Sequence, residues 1–435
     1  MAQNDGRKLR MAGYTSLAYQ VEQYLPQPLQ QLIHDISTHG QALGQSVYLV
    51  GGVVRDLLLG YPSLDIDLVV EGDAITLAQQ ATEIGSTKAT LHPRFGTAKL
   101  SLGDFVIDLV SARKETYDRP GALPTVTPGT VRDDIFRRDF SINAMAISLA
   151  PGNYGQLIDP YRGKEDLEQR LIRILHPRSF TDDATRILRA IRYEQRLGFE
   201  LEPQTARLLE RDIVMLDTIS GDRIRHELES ILKERYPENV LNRLRHFGVL
   251  KRINLPLTTN QWITERFGKA RRLSESGQIV PLYFCLLAYS LSQKGNEQFL
   301  RRLNMPRRLA QALRDTLEIK AHLPLLDRPL MKRSEIHHLL RDYDPLAIQA
   351  NAIASESSTT CHHLSLFLDE LRYVKPHLSG DDLAELGIRP GPEVGEMLRK
   401  LLKARLDGET KTREEEEKLV LSVRSKKART GESEH

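Results

Sequence analysis

The chain has 435 residues, 40% hydrophobic and 27% charged, which is ordinary for a globular protein with several compact units and a sizeable core. A net charge of only +3 excludes a chain that is basic throughout, and no apolar run approaches the roughly 20 residues that a membrane-crossing helix needs. The two cysteines, Cys285 and Cys361, are far apart, and the polar N-terminus lacks a signal-peptide core, so a reducing, cytoplasmic setting is expected.

In chain order, residues 1–28 read as a loose N-terminal segment. Residues 29–165 alternate helical and strand patterns, with strands expected near 47–50, 65–70, 97–102 and 105–110 and an apolar run at 142–148. This is a mixed α+β unit. After Asp159-Pro160 the pattern becomes 3.6-periodic with little strand signal, so the rest is expected to be all α-helical. Gly, Pro and Asn near 253–260 and 322–329 suggest joints. They divide the helical part into 166–256, 257–330 and 331–425, with 426–435 expected to be disordered.

The most informative stretch runs from Tyr48 to Gly72. Val47–Val50 read as a short buried strand, Gly51-Gly52 as a turn, and Val53–Leu59 as the first turns of a helix. A glycine pair there lets the backbone approach a ligand closely, and N–H groups at a helix start favour phosphate. Arg55 is placed to pair with phosphate oxygens. Asp65 and Asp67 follow at i, i+2 on a strand, so they share one face while Leu64, Ile66 and Leu68 take the other. Two neighbouring carboxylates repel unless a cation sits between them. Such hard oxygen ligands suit Mg²⁺ carrying a nucleoside triphosphate. The same residues also suit a tight turn and a solvated strand end.

Asp108 interrupts the apolar strand Phe105–Val110. It reads either as a third carboxylate for the same metal or as a water-facing acid on an edge strand. A Pro/Gly/Thr-rich loop, Tyr117–Thr130, then leads to Asp133-Asp134-Ile-Phe-Arg137-Arg138-Asp139-Phe140-Ser-Ile-Asn143. Its paired cations, acid and amide could anchor phosphate and ribose, or form a structural ion-pair hub.

In Thr181-Asp-Asp-Ala-Thr-Arg-Ile-Leu-Arg-Ala-Ile-Arg192, Ala184, Ile187, Leu188 and Ile191 make one helical apolar stripe. Asp183 and Arg186 flank it at i, i+3, offering an acceptor beside a fork of donors. Cytosine and adenine both carry an exocyclic amino donor beside a ring-nitrogen acceptor, whereas uracil and guanine place a carbonyl there. The pair is therefore expected to accept C and A and to reject U and G. Thr181 as an N-cap, with acids in the first turn, accounts for the same residues without a ligand.

Clustered arginines mark the helical part: Arg223, Arg225, Arg243, Arg245, Arg271-Arg272, Arg301-Arg302 and Arg307-Arg308. They suit either a phosphate backbone or solvated helix faces with i, i+4 partners. Cys361-His362-His363 has no second ligand pair at metal spacing, so it reads as a local cluster.

The order of these motifs resembles the class II tRNA nucleotidyltransferases, the CCA-adding enzymes and their bacterial poly(A) polymerase relatives. The resemblance rests on Gly-Gly-x-x-Arg-Asp with Asp-x-Asp, Arg-Arg-Asp-Phe-x-x-Asn-Ala, Asp-Pro-x-x-Gly-x-x-Asp-Leu, and Asp-Asp-x-x-Arg-Ile-Leu-Arg-Ala-Ile-Arg. It is strongest over residues 45–250 and returns at Leu386-Gly-Ile-Arg-Pro-Gly-Pro and Ala404–Gly408. It implies a polymerase-β-type nucleotidyltransferase head, followed by a helical neck, body and tail that hold tRNA.

By position, the resemblance places Gly52 and Arg55 at the triphosphate and Asp65 and Asp67 on Mg²⁺. Arg138, Asp183, Arg186, Arg189 and Arg192 complete the nucleotide pocket. The family commonly has Glu-Asp where this chain has Asp182-Asp183. The expected reaction is template-independent addition of CMP and/or AMP, from CTP and ATP, to a tRNA 3′ end.

Addition of CC only, of the final A only, or of a poly(A) tail stays open. The Tyr117–Thr130 loop, linked in this family to the switch to A addition, favours full CCA. A phosphohydrolase using His34-Asp35, which lacks matching His/Asp partners, and a non-catalytic RNA-binding protein are the readings from other classes. The oligomeric state is not legible.

Overall fold

The computed structural model describes residues 15–431 except 63–64, 85–87, 120, 123, 256–259 and 274–278. Leu64, assigned above to the apolar face of its strand, lies outside them. The chain forms two compact units that meet in sequence at Arg252 and Ile253.

The first unit begins with α1 (Ala18–Tyr24) and α2 (Gln27–Ala42), so a helix occupies part of the stretch expected to be loose. Then come β1 (Ser46–Val50), α3 (Gly52–Leu59), β2 (Asp65–Glu71), α4 (Ala74–Ile84), β3 (Lys88–His92), β4 (Thr97–Leu102) and β5 (Phe105–Ser111). The hairpin β6 (Arg113–Thr116) and β7 (Thr125–Pro128), α5 (Val131–Phe136), β8 (Ala146–Ser148) and β9 (Leu157–Ile158) complete the α+β part. Seven strands form one sheet in the order β3-β4-β5-β2-β1-β8-β9. Within it β2 and β5 run parallel, and the other pairs are antiparallel.

Strand alternation decides what each face does. Ile66, Leu68 and Val70 are fully buried, on the side covered by the apolar stripes of α2 (Leu29, Ile33, Ile36) and α4 (Leu77, Ala78). The other face carries Asp65, Asp67 and Val69. There Val69 packs with Val131 and Ile135 of α5 and with Val50 and Ala146. Helix α5 is held by a capping box between Thr130 and Asp133.

Helices α6 (Gly163–Gln169), α7 (Ser179–Asp182), α8 (Thr185–Leu197), α9 (Pro203–Asp212), α10 (Gly221–Leu232), α11 (Pro237–His246) and α12 (Val249–Arg252) follow. A short parallel pair, Leu171–Ile172 with Glu200–Leu201, ties the start of this region to the end of α8. The single helix expected over Thr181–Arg192 is broken. Asp183 is extended, and its carboxylate accepts the Thr185 N–H that would otherwise lack a partner at the start of α8.

The second unit is helical among its described residues, as the loss of strand periodicity implied. Its long elements are Asn260–Leu273, Arg307–Leu326, Pro392–Leu406 and Arg413–Gly431. One core cluster gathers Ile319, Ile348, Leu364 and Phe367, and another gathers Leu383, Met397, Leu401 and Val420. The last helix runs into 426–435, where no structure was expected; residues 432–435 lie outside the described set. Around Cys361-His362-His363 the contacts are local: the Cys361 thiol lies 3.3 Å from the Ala352 carbonyl, and His363 Nδ1 lies 2.8 Å from the Leu326 carbonyl. Among the described residues no helix is long and apolar enough to cross a membrane.

Candidate active site

A cavity of about 460 Å³ in the first unit is lined from both the sheet and the following helices. Gly52, Asp67, Arg138 and Asn143 stand on the sheet side, Asp183, Arg186, Arg189 and Arg223 on the helix side. At its edge Gly51 has φ +76°, ψ −130°, a conformation that L side chains avoid. A Cβ there would run into the Arg138 guanidinium and lie 3.6 Å from Asp67 Oδ2. The glycine is thus required by close approach as well as by backbone angle.

The carboxylates are gathered by strand register. β2 and β5 pair in parallel with Asp67 opposite Asp108, so these two share a face, and Asp65 joins them two residues earlier on β2. The Asp67 carboxyl is pushed up to about 6, chiefly by burial. Arg138 opposes this, while Asp65, Asp108 and Asp134 add to it. Asp108 also pairs with Lys99 at 3.3 Å. Among the described residues no group of three or more acidic, histidine or cysteine side chains is arranged so that it could hold a metal ion. Arg138 is the largest counter-charge to these acids, and a divalent cation bound beside Asp67 would add to it.

Beyond the acids of the sheet, most charged groups around the cavity have partners. Asp139 accepts from Arg189 Nε at 2.8 Å and Nη2 at 2.5 Å, and from Asn143 Nδ2 at 3.0 Å. Burial alone would raise its carboxyl, but Arg189 and Asn143 overcome burial and hold it at about 2. Asn143 Oδ1 in turn accepts from Arg55 at 2.7 Å. Asp134, fully buried, takes Arg137 at 2.6 Å and Arg138 at 3.0 Å. Arg186 donates to Ser179 Oγ and to the Arg137 carbonyl, each at 2.7 Å. Asp183 Oδ1 accepts Thr185 N–H, Thr185 Oγ1 and Arg223, the last at 2.7 Å; Asp183 Oδ2 takes none of these bonds.

Residues 47–173 match the family described as "Poly A polymerase head domain", and residues 198–260 match "Probable RNA and SrmB- binding site of polymerase A". The chain is 34% identical to the A-adding tRNA nucleotidyltransferase of Halalkalibacterium halodurans, over 85% of this chain and 86% of that protein. The chain belongs to the tRNA nucleotidyltransferase family. It is also 34% identical, over 93% of its length, to the A-adding tRNA nucleotidyltransferase of Geobacter sulfurreducens, but spans only 48% of that relative, about half its length. In structure it is similar to the Thermotoga maritima CCA-adding enzyme complexed with tRNA: TM-score 0.71, 31% identity, covering 95% of this chain and 100% of that one. The polymerase-β-type head followed by helices is therefore the fold.

Against this family background, the cavity brings together seven of the twelve residues singled out from sequence: Gly52, Asp67, Arg138, Asn143, Asp183, Arg186 and Arg189. Gly51, Asp65 and Asp108 adjoin that wall without lining it. Arg55 and Arg192 are placed differently from expectation. Arg55 is 4% exposed and is held by Asn143, by Asp56 at 2.9 Å and by the Tyr193 ring at 5.4 Å. Arg192 braces Glu227 and Glu234 at 3.6 and 3.5 Å. Both support the wall from behind.

Several lining residues escaped sequence reasoning: Glu115, Tyr193, His226 and Glu227; Tyr117, which also lines the cavity, opens the loop singled out there. Glu115 could have been found, as an acid in a polar hairpin flanked by Arg113 and Tyr117; it binds Arg113, Arg137 and the Tyr117 hydroxyl. Burial, then Glu115, push the Tyr117 hydroxyl up to about 12. His226 and Glu227 carry no local signal, since their roles depend on α10 lying beside α8.

Proposed function

We propose that the chain transfers CMP and/or AMP, from CTP and ATP, to the 3′-hydroxyl of tRNA without a nucleic-acid template, using Mg²⁺. The observation that carries this reading is one cavity with an acid-rich wall at Asp67 and a hydrogen-bonding wall at Asp183 and Arg186. Asp65 and Asp67 would hold the metal, with Asp108 as a further ligand or as acceptor of the hydroxyl proton. A metal held there would neutralise triphosphate charge and lower the pKa of the RNA 3′-hydroxyl, whose oxygen would attack the α-phosphate in line as the bond to pyrophosphate breaks.

The chain's own groups do the rest. Gly51 and Gly52 give a triphosphate room against the backbone, and Arg138, anchored by Asp134, offers it positive charge. Asp183 and Arg186 read the edge of the base, with Arg223 and Ser179 fixing their orientation. For the second unit we propose RNA holding by its tail, residues 331–425. A cleft of about 490 Å³ lined by Arg328, Arg341, Arg399 and Lys403 with leucines beneath supports this. The two unpaired cysteines support a reducing compartment such as the cytoplasm.

The test mixes the protein with labelled CTP or ATP and three tRNAs, lacking the whole CCA end, its last two nucleotides or only the final A. Incorporation of C, of A, or of both identifies the nucleotide set, because relatives of this chain include A-adding, CC-adding and CCA-adding enzymes. No incorporation on any of the three, with Mg²⁺ present, would overturn the proposal.

A further inference from the structure

Outside the cavity, three rings from separate segments meet at the surface of the first unit. Phe136, the last residue of α5, is 50% exposed, although it is a large apolar side chain on a short, well-capped helix. One face of its ring stacks on His176, with centroids 5.3 Å apart and planes 23° apart. Tyr161 tilts against it at 6.4 Å. Burial, then the nearby Arg186, hold the His176 imidazole below its ordinary range, so near pH 7 this is a neutral aromatic stack with one open end.

Cations rim the stack. Arg132 lies one turn before Phe136 on α5, is exposed, and makes no ion pair among the described residues. Arg178 and Arg162 are 75% and 78% exposed, each with a single acid partner, Asp182 at 3.1 Å and Glu165 at 2.5 Å. Rings with an open π-face beside exposed guanidinium groups fit an unpaired nucleotide: the base stacks and its phosphate meets the cations. The position fits as well. Phe136 directly precedes Arg137 and Arg138, which line the cavity, and of the charges acting on His176, those of Arg186, Asp182 and Arg178, the largest is that of Arg186, another lining residue.

We infer that Phe136, stacked on His176 and flanked by Arg132, is a platform on which an unpaired base near the 3′ end of the RNA stacks as that end enters the cavity. This rests on the nucleotidyltransferase reading above. Phe136 is a positioning residue: it holds the strand and touches neither the triphosphate nor the reacting atoms.

The test uses the full chain and RNAs carrying the fluorescent base 2-aminopurine at each of the last unpaired positions in turn. Wild-type protein is expected to quench the probe at one position. Phe136→Ala should abolish that quench and raise the KM for RNA by about tenfold or more, leaving kcat at saturating RNA and the KM for CTP and ATP unchanged. Phe136→Trp should restore both. Arg132→Gln should keep the quench and lower the dependence of log affinity on log salt by about one.

Unchanged quenching and unchanged KM in Phe136→Ala overturn the inference. So does a wild type that quenches at no position, which would leave the platform to a protein partner. Failure of the function reading looks different: wild type would bind and quench the RNA yet incorporate nothing.

Discussion

The two walls of the cavity are built on opposite electrostatic plans. Around Asp67, Asp65 of the same strand, Asp108 of the neighbouring strand and Asp134 of α5 add negative charge, Arg138 is the main counter-charge, and burial first of all pushes the carboxyl up to about 6. Around Asp139 the charges and amides interlock, and that carboxyl is held at about 2. Burial raises both groups, so the sign of the outcome is decided by what surrounds each one. The first wall is the one to which the proposed cation would add positive charge. The second is already rigid and can hold donors and acceptors in fixed directions before a nucleotide arrives.

The largest break in this contrast removes the acid wall. Asp65→Ala or Asp67→Ala should lower nucleotide incorporation by roughly 10³-fold or more while RNA binding persists, measured by single-turnover incorporation beside an RNA-binding titration. Turnover retained within a factor of ten would sink the metal assignment.

The next break is in the paired wall. Asp139→Asn leaves the Arg189 guanidinium short of its charge partner and should cost about 3 kcal/mol in urea unfolding. The pH dependence has a definite sign. A carboxyl held below its ordinary value of 3.8 stabilises the fold fully above that value, and the stabilisation is lost as pH falls from about 4 toward 2. The variant should lack that part of the acid loss. A wild type whose stability is flat over this window would show that Asp139 is not the clamp described here.

How far these walls were legible in the sequence follows from the range of the interactions that make them. The acid wall is nearly local: a period-2 pattern puts Asp65 and Asp67 on one face, and Asp108 stands out as a charge inside an apolar strand. The paired wall is not. Arg55 meets Asn143 88 positions away, and Arg189 meets Asp139 50 positions away. No spacing rule joins such residues, and the family resemblance alone brought Arg189 and Arg192 together with them. The unbroken apolar stripe from Ala184 to Ile191 predicts one helix from Thr181, but the Asp183 side chain competes for a backbone N–H and divides it. Strand β3 was missed because its side chains are at most half-buried along an edge of the sheet. β7 was missed because it is short, exposed and set among Pro, Gly and Thr.

Base choice is a smaller effect and discriminates between two roles of one side chain. Asp183→Ala should relax selectivity for C and A over U and G by about 10- to 100-fold, read as the ratio of kcat/KM values. The same change removes the acceptor of Thr185 N–H and so costs helix stability of about 1 kcal/mol. Lower stability with unchanged selectivity would leave Asp183 as a cap only. Arg223→Gln sharpens the result, since it frees Asp183 without removing it and should produce a weaker relaxation of the same sign.

The smallest expected effect concerns Asp108, which pairs with a lysine. Lys99 and Asp108 form a half-exposed pair, with side chains 51% and 38% exposed, and such a pair contributes less than about 1 kcal/mol to stability. Lys99→Gln should therefore leave unfolding almost unchanged. If Asp108 is a metal ligand, however, Lys99 competes with the metal for the same carboxylate. Removing the lysine should then lower the Mg²⁺ concentration for half-maximal activity by about two- to fivefold, the range that a pair of this strength permits. If Asp108 takes the hydroxyl proton instead, the Mg²⁺ requirement should stay fixed. The two outcomes separate the ligand from the base with a substitution that leaves every proposed metal ligand in place.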